Sequence, residues 1–256
     1  MSISGAQAGC YLRATVAYDG TDFCGFQVQS GQRTVQGVLE ETLAIITQEQ
    51  IRVIGAGRTD SGVHAWGQVI AFRTRWRHSL SNLHRGWNAL LPDDVTVRSL
   101  TEADQGFHPR FSARSRAYRY AIWNHPMRNP LLQRTVHWVS RSLDVKVMTR
   151  AAHLLVGEHD FATFGRPPQG TNTIRRVLCA KWTRQANTFA GDVLCLDIEA
   201  NAFLYRMVRS IVGTLLQVGT GDLSVEQFAA RFAATDRSQA GPTAPAHGLC
   251  LMAVRY

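Results

Sequence analysis

One short stretch of the chain holds residue types that could do chemistry: GAGRTDSGVHAWGQV, residues 55–69. It carries a single carboxylate, Asp60, two residues after the guanidinium of Arg58, among glycines at 55, 57 and 62. Glycine lets a bulky ligand approach the backbone closely. A nearby guanidinium would keep the carboxyl ionised, and an ionised, positioned aspartate can serve as a nucleophile or a general base. The spacing alone also fits an Asp-Ser-Gly turn in which Asp60 bonds only its own backbone.

Two other groups of side chains bear on a bound ligand. A strand from Ala113 to Trp123 would place Arg114, Arg116, Tyr118 and Tyr120 on one face, because strand side chains alternate. An aromatic flanked by arginines can stack a base while the arginines hold its phosphates. The same pattern fits a solvated face with two core tyrosines. In NAFLYRMVRSIVGTLLQVG, residues 201–219, Val208, Ile211, Val212 and Leu215 form an apolar stripe. At about 100° per residue, Arg206, Arg209 and Gly213 fall together on the opposite side. Arg209 lies nearer the stripe, and the glycine would leave room for a ligand backbone. An exposed amphipathic helix has the same pattern. The nine histidines have no metal-ligand spacing; His159-Asp160 is only half of a metal phosphohydrolase signature. No GxGxxG, Walker loop or GxSxG occurs.

These residues need elements to hold them. Strands are expected at Tyr11–Tyr18, Ile51–Ile54, Val69–Phe72, Val95–Leu100 and Ala113–Trp123. Two more, Arg175–Arg184 and Thr188–Ala200, read as a hairpin, and Leu249–Val254 reads as a closing strand. Helical periodicity marks Thr34–Gln48, Ser81–Leu90, Asp144–Val156, Phe203–Val218 and Val225–Ala234. Loops are expected at His125–Arg134, Gly165–Asn172 and Thr235–Gly248. Each half thus gives strands, a helix, strands and a helix. The expectation is an α+β fold of two similar domains, residues 1–105 and 106–256, with mainly antiparallel sheets flanked by helices.

The bulk composition bounds the partners. The chain has 256 residues, 45% of them hydrophobic, and a net charge of +9. Arginine supplies nearly all the positive charge, with lysine only at 146 and 181. Arginine's planar fork suits phosphates and stacks on bases, so a nucleic acid is the expected partner. No apolar run of about 18 residues predicts a membrane helix, and Met1–Gly9 reads as a loose tail. The five cysteines include no CxxC pair and are odd in number, which points to a reducing cytoplasm.

Taken in order, YDGTDFCGFQ (18–27), TVQGVLE (34–40), GAGRTDSGVHAWGQV (55–69), FSARSRAYRY (111–120), RNP (128–130), FLYRMVRSIVG (203–213) and GPTAPAHGLCL (241–251) resemble the TruA family of tRNA pseudouridine synthases. Phe26 stands where that family usually has tryptophan, a change in packing. The resemblance implies that Asp60 is the catalytic aspartate and acts as nucleophile, that Arg58 assists, that Tyr118 lies on the target base and that Arg209 pairs with Asp60. Arg114, Arg116, Arg206 and Leu249 are expected to join Tyr118 in holding substrate. It further implies two related domains with an active-site cleft between them, tRNA as substrate at the 3′ side of the anticodon stem-loop, a homodimer, and no metal or organic cofactor. A non-catalytic RNA-binding protein of the same fold is the rival reading. A metal-dependent hydrolase built on His159 and Asp160 is the third.

Overall fold

A computed structural model describes residues 9–187 and 191–256. Of the tail expected at Met1–Gly9, residues 1–8 lie outside the described residues, as does the start of the strand expected from Thr188. Two compact units divide the chain: one runs to Ala113 and takes in Tyr256, and the other is residues 114–255.

The first unit comprises β1 (Cys10–Tyr18), α1 (Val35–Thr47), β2 (Ile54–Gly55), β3 (His64–Thr74), α2 (Leu80–Leu90) and β4 (Val95–Glu102). Alternation in β1 buries Leu12, Ala14, Val16 and Tyr18 and leaves Arg13 exposed. Thr34 caps α1 by accepting from the amide of Gly37, and Gln48 ends that helix at a left-handed φ of 56°. Burial of Leu39 and Leu43 from α1 and Leu83 and Trp87 from α2 seats both helices on the sheet. The Trp87 ring meets Phe72 of β3 edge-on at 5.5 Å, and its Nε1 donates to Thr42 Oγ1 at 2.9 Å. The strands are antiparallel in the order β4-β1-β3-β2.

The second unit comprises β5 (Ser115–Asn124), β6 (His137–Val139), α3 (Val145–His153), β7 (Gly157–Asp160), β8 (Ile174–Asn187), β9 (Gly191–Ala200), α4 (Met207–Gly219), α5 (Val225–Ala233) and β10 (Leu249–Arg255). Its antiparallel order is β10-β5-β9-β8-β7. Strand β6 runs parallel to the end of β5, past the last residue that β10 pairs. Setting aside β6, β7 and α5, each unit reads β-α-β-β-α-β, with its strands ordered fourth, first, third, second. The repeated topology bears out the α+β class and the similarity of the halves.

Four local expectations are corrected. The strand expected from Ile51 is only Ile54–Gly55. Helix α4 starts at Met207 and not at Phe203, because the amide of Tyr205 pairs with the carbonyl of Arg166 (2.9 Å) and Arg206 turns the chain at φ 59°. That helix is also buried on nearly every side and is not an exposed amphipathic helix. A Cβ at Gly213 would collide with the Pro242 carbonyl oxygen. The space beside this glycine is filled by the chain itself and holds no ligand backbone.

Candidate active site

The Asp60 loop is the connection between β2 and β3, and the segment 18–27 forms its cradle. Buried Tyr18 and Thr59 share a hydroxyl hydrogen bond of 2.8 Å. The amide of Phe26 donates to the Thr59 carbonyl at 3.1 Å. Ser61 Oγ donates to the Phe23 carbonyl at 3.1 Å. On the β3 side, Gln68 Nε2 donates to the Gly57 carbonyl at 2.9 Å, and the amide of Ala56 donates to Val69 at 2.8 Å. Gly20 passes so close to the Val63 backbone that a side chain there would clash. Both neighbours of Asp60 are therefore tied to the cradle, as a preorganised catalytic group needs.

The turn after Asp60 is closed by its backbone carbonyl, which accepts from the amide of Val63 at 3.1 Å. Gly62 adopts φ 76°, the left-handed angle that a type II turn needs at its third position. Asp60 itself is half-buried, and Arg58 is exposed with no hydrogen bond or ion pair among the described residues. The glycines of the loop have separate tasks. Gly62 makes the turn, Gly55 makes room for the ring of Phe26, and Gly57 faces open space.

In the second unit, Arg116, Tyr118 and Tyr120 follow one face of β5. Tyr118 is half-buried between Leu251 of β10 and Ile198 of β9. The ring of Phe203 meets it edge-on at 5.1 Å. Arg116 Nη1 donates to the Asn201 carbonyl at 2.9 Å. Arg114 lies just before the strand, exposed, with its amide on the Arg255 carbonyl at 2.8 Å. Tyr120 is a core residue: fully buried, it donates from its hydroxyl to the Pro245 carbonyl at 2.9 Å. Leu249 is buried opposite it at the head of β10.

Arg209, in the first turns of α4, is half-buried as its place beside the stripe implied. Its Nε donates to the Ala244 carbonyl at 2.8 Å, and its own carbonyl accepts from the amide of Ala244 at 3.0 Å. The segment 242–245 is thus a strap held by Arg209 on α4 and by Tyr120 on β5. Burial drives the Tyr120 hydroxyl well above its usual range, with Arg209 pulling weakly the other way. Burial and then the neighbouring His247 bring His137 down to about 4.

His159 and Asp160 lie on β7 and serve the local backbone. His159 Nε2 lies 3.0 Å from the Val156 carbonyl, and Asp160 Oδ1 accepts from the amide of Ala162 at 2.9 Å. Among the described residues, no group of three or more His, Cys, Asp or Glu side chains is placed to hold a metal. No helix among them is long and apolar enough to cross a membrane.

The profile of the tRNA pseudouridine synthase family matches residues 14–112 and 151–256. The chain belongs to the tRNA pseudouridine synthase family. Among its relatives is a protein of Chloroflexus aurantiacus called tRNA pseudouridine synthase A, 49% identical over 244 residues, covering 94% of this chain and 87% of the relative. Proteins of the same name from a Roseiflexus species and from Brevibacillus brevis are 47% and 43% identical. They cover 94% and 96% of this chain, and 88% and 99% of their own lengths. Arg58, Asp60, Arg206, Arg209 and Leu249 fall within the family match. Arg114, Arg116 and Tyr118 fall between its two parts, in a stretch that the alignments to these relatives span.

Two features of this synthase escaped the sequence reading. Phe203, which supports Tyr118, stood in a segment read as helix. Trp66, 52% exposed on β3 six residues beyond Asp60, carries the Arg98 guanidinium 3.8 Å from its ring centroid. Pairings across a sheet between residues so far apart in the chain leave no mark on local periodicity.

Proposed function

We propose that this chain isomerises uridine to pseudouridine in tRNA, at the 3′ side of the anticodon stem-loop, with Asp60 as the nucleophile. Membership of the family supports the reaction. The observation that carries the residue assignment is the Asp60 loop, tied to its cradle on both sides of a half-buried carboxylate.

The reaction breaks the uridine N1–C1′ bond, turns the uracil and joins its C5 to C1′. The proton that leaves C5 is balanced by one gained at N1, and nothing is oxidised or reduced. The chemistry calls for no redox cofactor. A carboxylate at the sugar can bond to C1′ or support the departing uracil, and Asp60 fills that place. The target base must leave its stack, at a cost of a few kcal/mol. Arg58, exposed and unpaired beside Asp60, suits the vacated space or the adjoining phosphate.

Tyr118 is assigned to the flipped base, with its hydroxyl near the C5 proton. Arg209 is assigned to Asp60, since a half-buried arginine calls for an anion. Arg114, Arg116 and Arg206 are assigned to the RNA backbone, and Leu249 to the substrate pocket. The enzyme acts as a homodimer in the cytoplasm, and its five free cysteines suit that reducing compartment.

Asp60→Asn tests the assignment. The substitution keeps size and removes charge, so purified variant should bind tRNA with near-normal affinity and form no pseudouridine. Measurable turnover by that variant would overturn the role of Asp60.

A further inference from the structure

Three arginines of the second unit converge where α4 begins, and none has a carboxylate partner. Arg166 meets Tyr205 through an isolated antiparallel bridge. Arg206, at φ 59°, places its guanidinium 4.9 Å from the Tyr205 ring centroid. Arg237 comes from the short turn after α5. It is held by Nη1 on the Thr163 carbonyl at 3.0 Å and by Nη2 on Ser210 Oγ at 2.8 Å. Burial, and then the charges of Arg166 and Arg206, push the Arg237 guanidinium below its usual value. The three cations are therefore close enough to repel one another. Elsewhere the chain pairs arginines, as Arg33 with Asp94, Arg119 with Asp197 and Arg141 with Asp222. Here the ion-pair and hydrogen-bond partners of all three are neutral groups or none.

Uncompensated like charges cost stability unless a bound anion neutralises them. Their setting is exposed at Arg206 and Tyr205, so an anion can reach them. The same end of α4 has no side-chain cap, and its backbone dipole adds to the positive field. Guanidinium forks favour phosphate oxygens, and an aromatic ring beside them suits a nucleotide.

We propose that Arg166, Arg206 and Arg237 form one phosphate-binding site, with Tyr205 as its floor, that grips a backbone phosphate of the tRNA. The inference rests on tRNA as the substrate and adds Arg166, Arg237 and Tyr205 to the residues that hold it. Three cations on one phosphate anchor the RNA at a fixed point, and base contacts then act from that register.

The experiment compares tRNA binding by wild type, Arg166→Gln, Arg206→Gln and the double variant over a range of salt. Each single variant should bind about tenfold more weakly and lower the slope of log Kd against log salt by about one. The double variant should lower that slope by no more than about one, because both arginines serve the same phosphate. Melting temperature should stay level or rise in Arg166→Gln, since a repulsion is removed; a merely structural arginine would lower it. Arg237→Lys, which keeps charge and changes the fork, should weaken binding with an unchanged slope.

Wild-type affinity and slope in both single variants would overturn the site, and a slope loss of about two in the double variant would overturn the shared phosphate. Titration with inorganic phosphate separates the sources. If phosphate stabilises wild type but not Arg166→Gln, while both bind tRNA equally, the site takes a free phosphate and the tRNA assignment fails. If wild type neither binds nor modifies tRNA, the enzymatic reading fails with it.

Discussion

Single side chains in this protein differ in how far their surroundings commit them. Tyr118 and Tyr120 share a strand face, yet burial and the bond to Pro245 make Tyr120 structural, while Tyr118 keeps a partly open ring. Tyr118→Phe and Tyr118→Leu separate ring from hydroxyl. The expected result is that Phe binds tRNA normally but loses rate in single turnover, and that Leu loses both. Full turnover by the Phe variant would remove the hydroxyl from the mechanism. His137 gives a pH prediction. Its folded value of about 4 lies below the ordinary value near 6.5, so the folded state binds fewer protons than the unfolded one between those limits. Stability from a neutral His137 is therefore complete above about pH 6.5 and is lost as pH falls toward about 4, by at most about 3 kcal/mol and less by the solvent screening of a partly exposed ring. Urea midpoints for wild type and His137→Phe at pH 7 and near pH 4.5 should show a smaller acid loss in the variant. Parallel losses would show that another group is responsible.

At the scale of elements, the strap 242–245 and α4 form one working piece. Arg209 is held by Ala244 at two points, and Gly213 lets the strap lie against the helix. Gly213→Ala would force the Pro242 carbonyl away. The expected cost is roughly 3 kcal/mol, as for an overpacked core. Because the displaced strap also carries the Arg209 contact, single-turnover rate at saturating tRNA should fall beyond what the loss of folded protein explains. A normal rate per folded molecule, with the unfolded fraction read by circular dichroism, would separate the strap from Arg209's role.

Across the whole molecule, charge governs the approach of the substrate. The net charge of +9 comes almost wholly from arginine, and Arg58, Arg114 and Arg206 are all exposed. If about four phosphates are neutralised on binding, affinity should fall roughly 100-fold between about 50 and about 200 mM salt. Filter binding of tRNA across that range checks it, and a flat profile would remove nucleic acid as the dominant partner.

The sequence alone determined what local rules control. Alternation placed β1, β4, β5 and β10; apolar periodicity placed α1, α2, α3 and α5; the repeated order of elements announced two α+β units. Asp60 and Arg58 stood out as candidates because a carboxylate and a guanidinium among glycines break the pattern around them, and the family resemblance supplied their proposed roles. Tertiary structure decided the rest. The cradle of Tyr18, Gly20, Phe23 and Phe26 under the Asp60 loop joins segments more than thirty residues apart, and no local period records it. Tyr205 lies outside the expected helix, with its amide on the Arg166 carbonyl. Gly213 proved to serve the strap, and Arg166 and Arg237 became neighbours of Arg206 only through packing. Local propensity acts over a few residues, whereas such approaches depend on which distant surfaces bury each other.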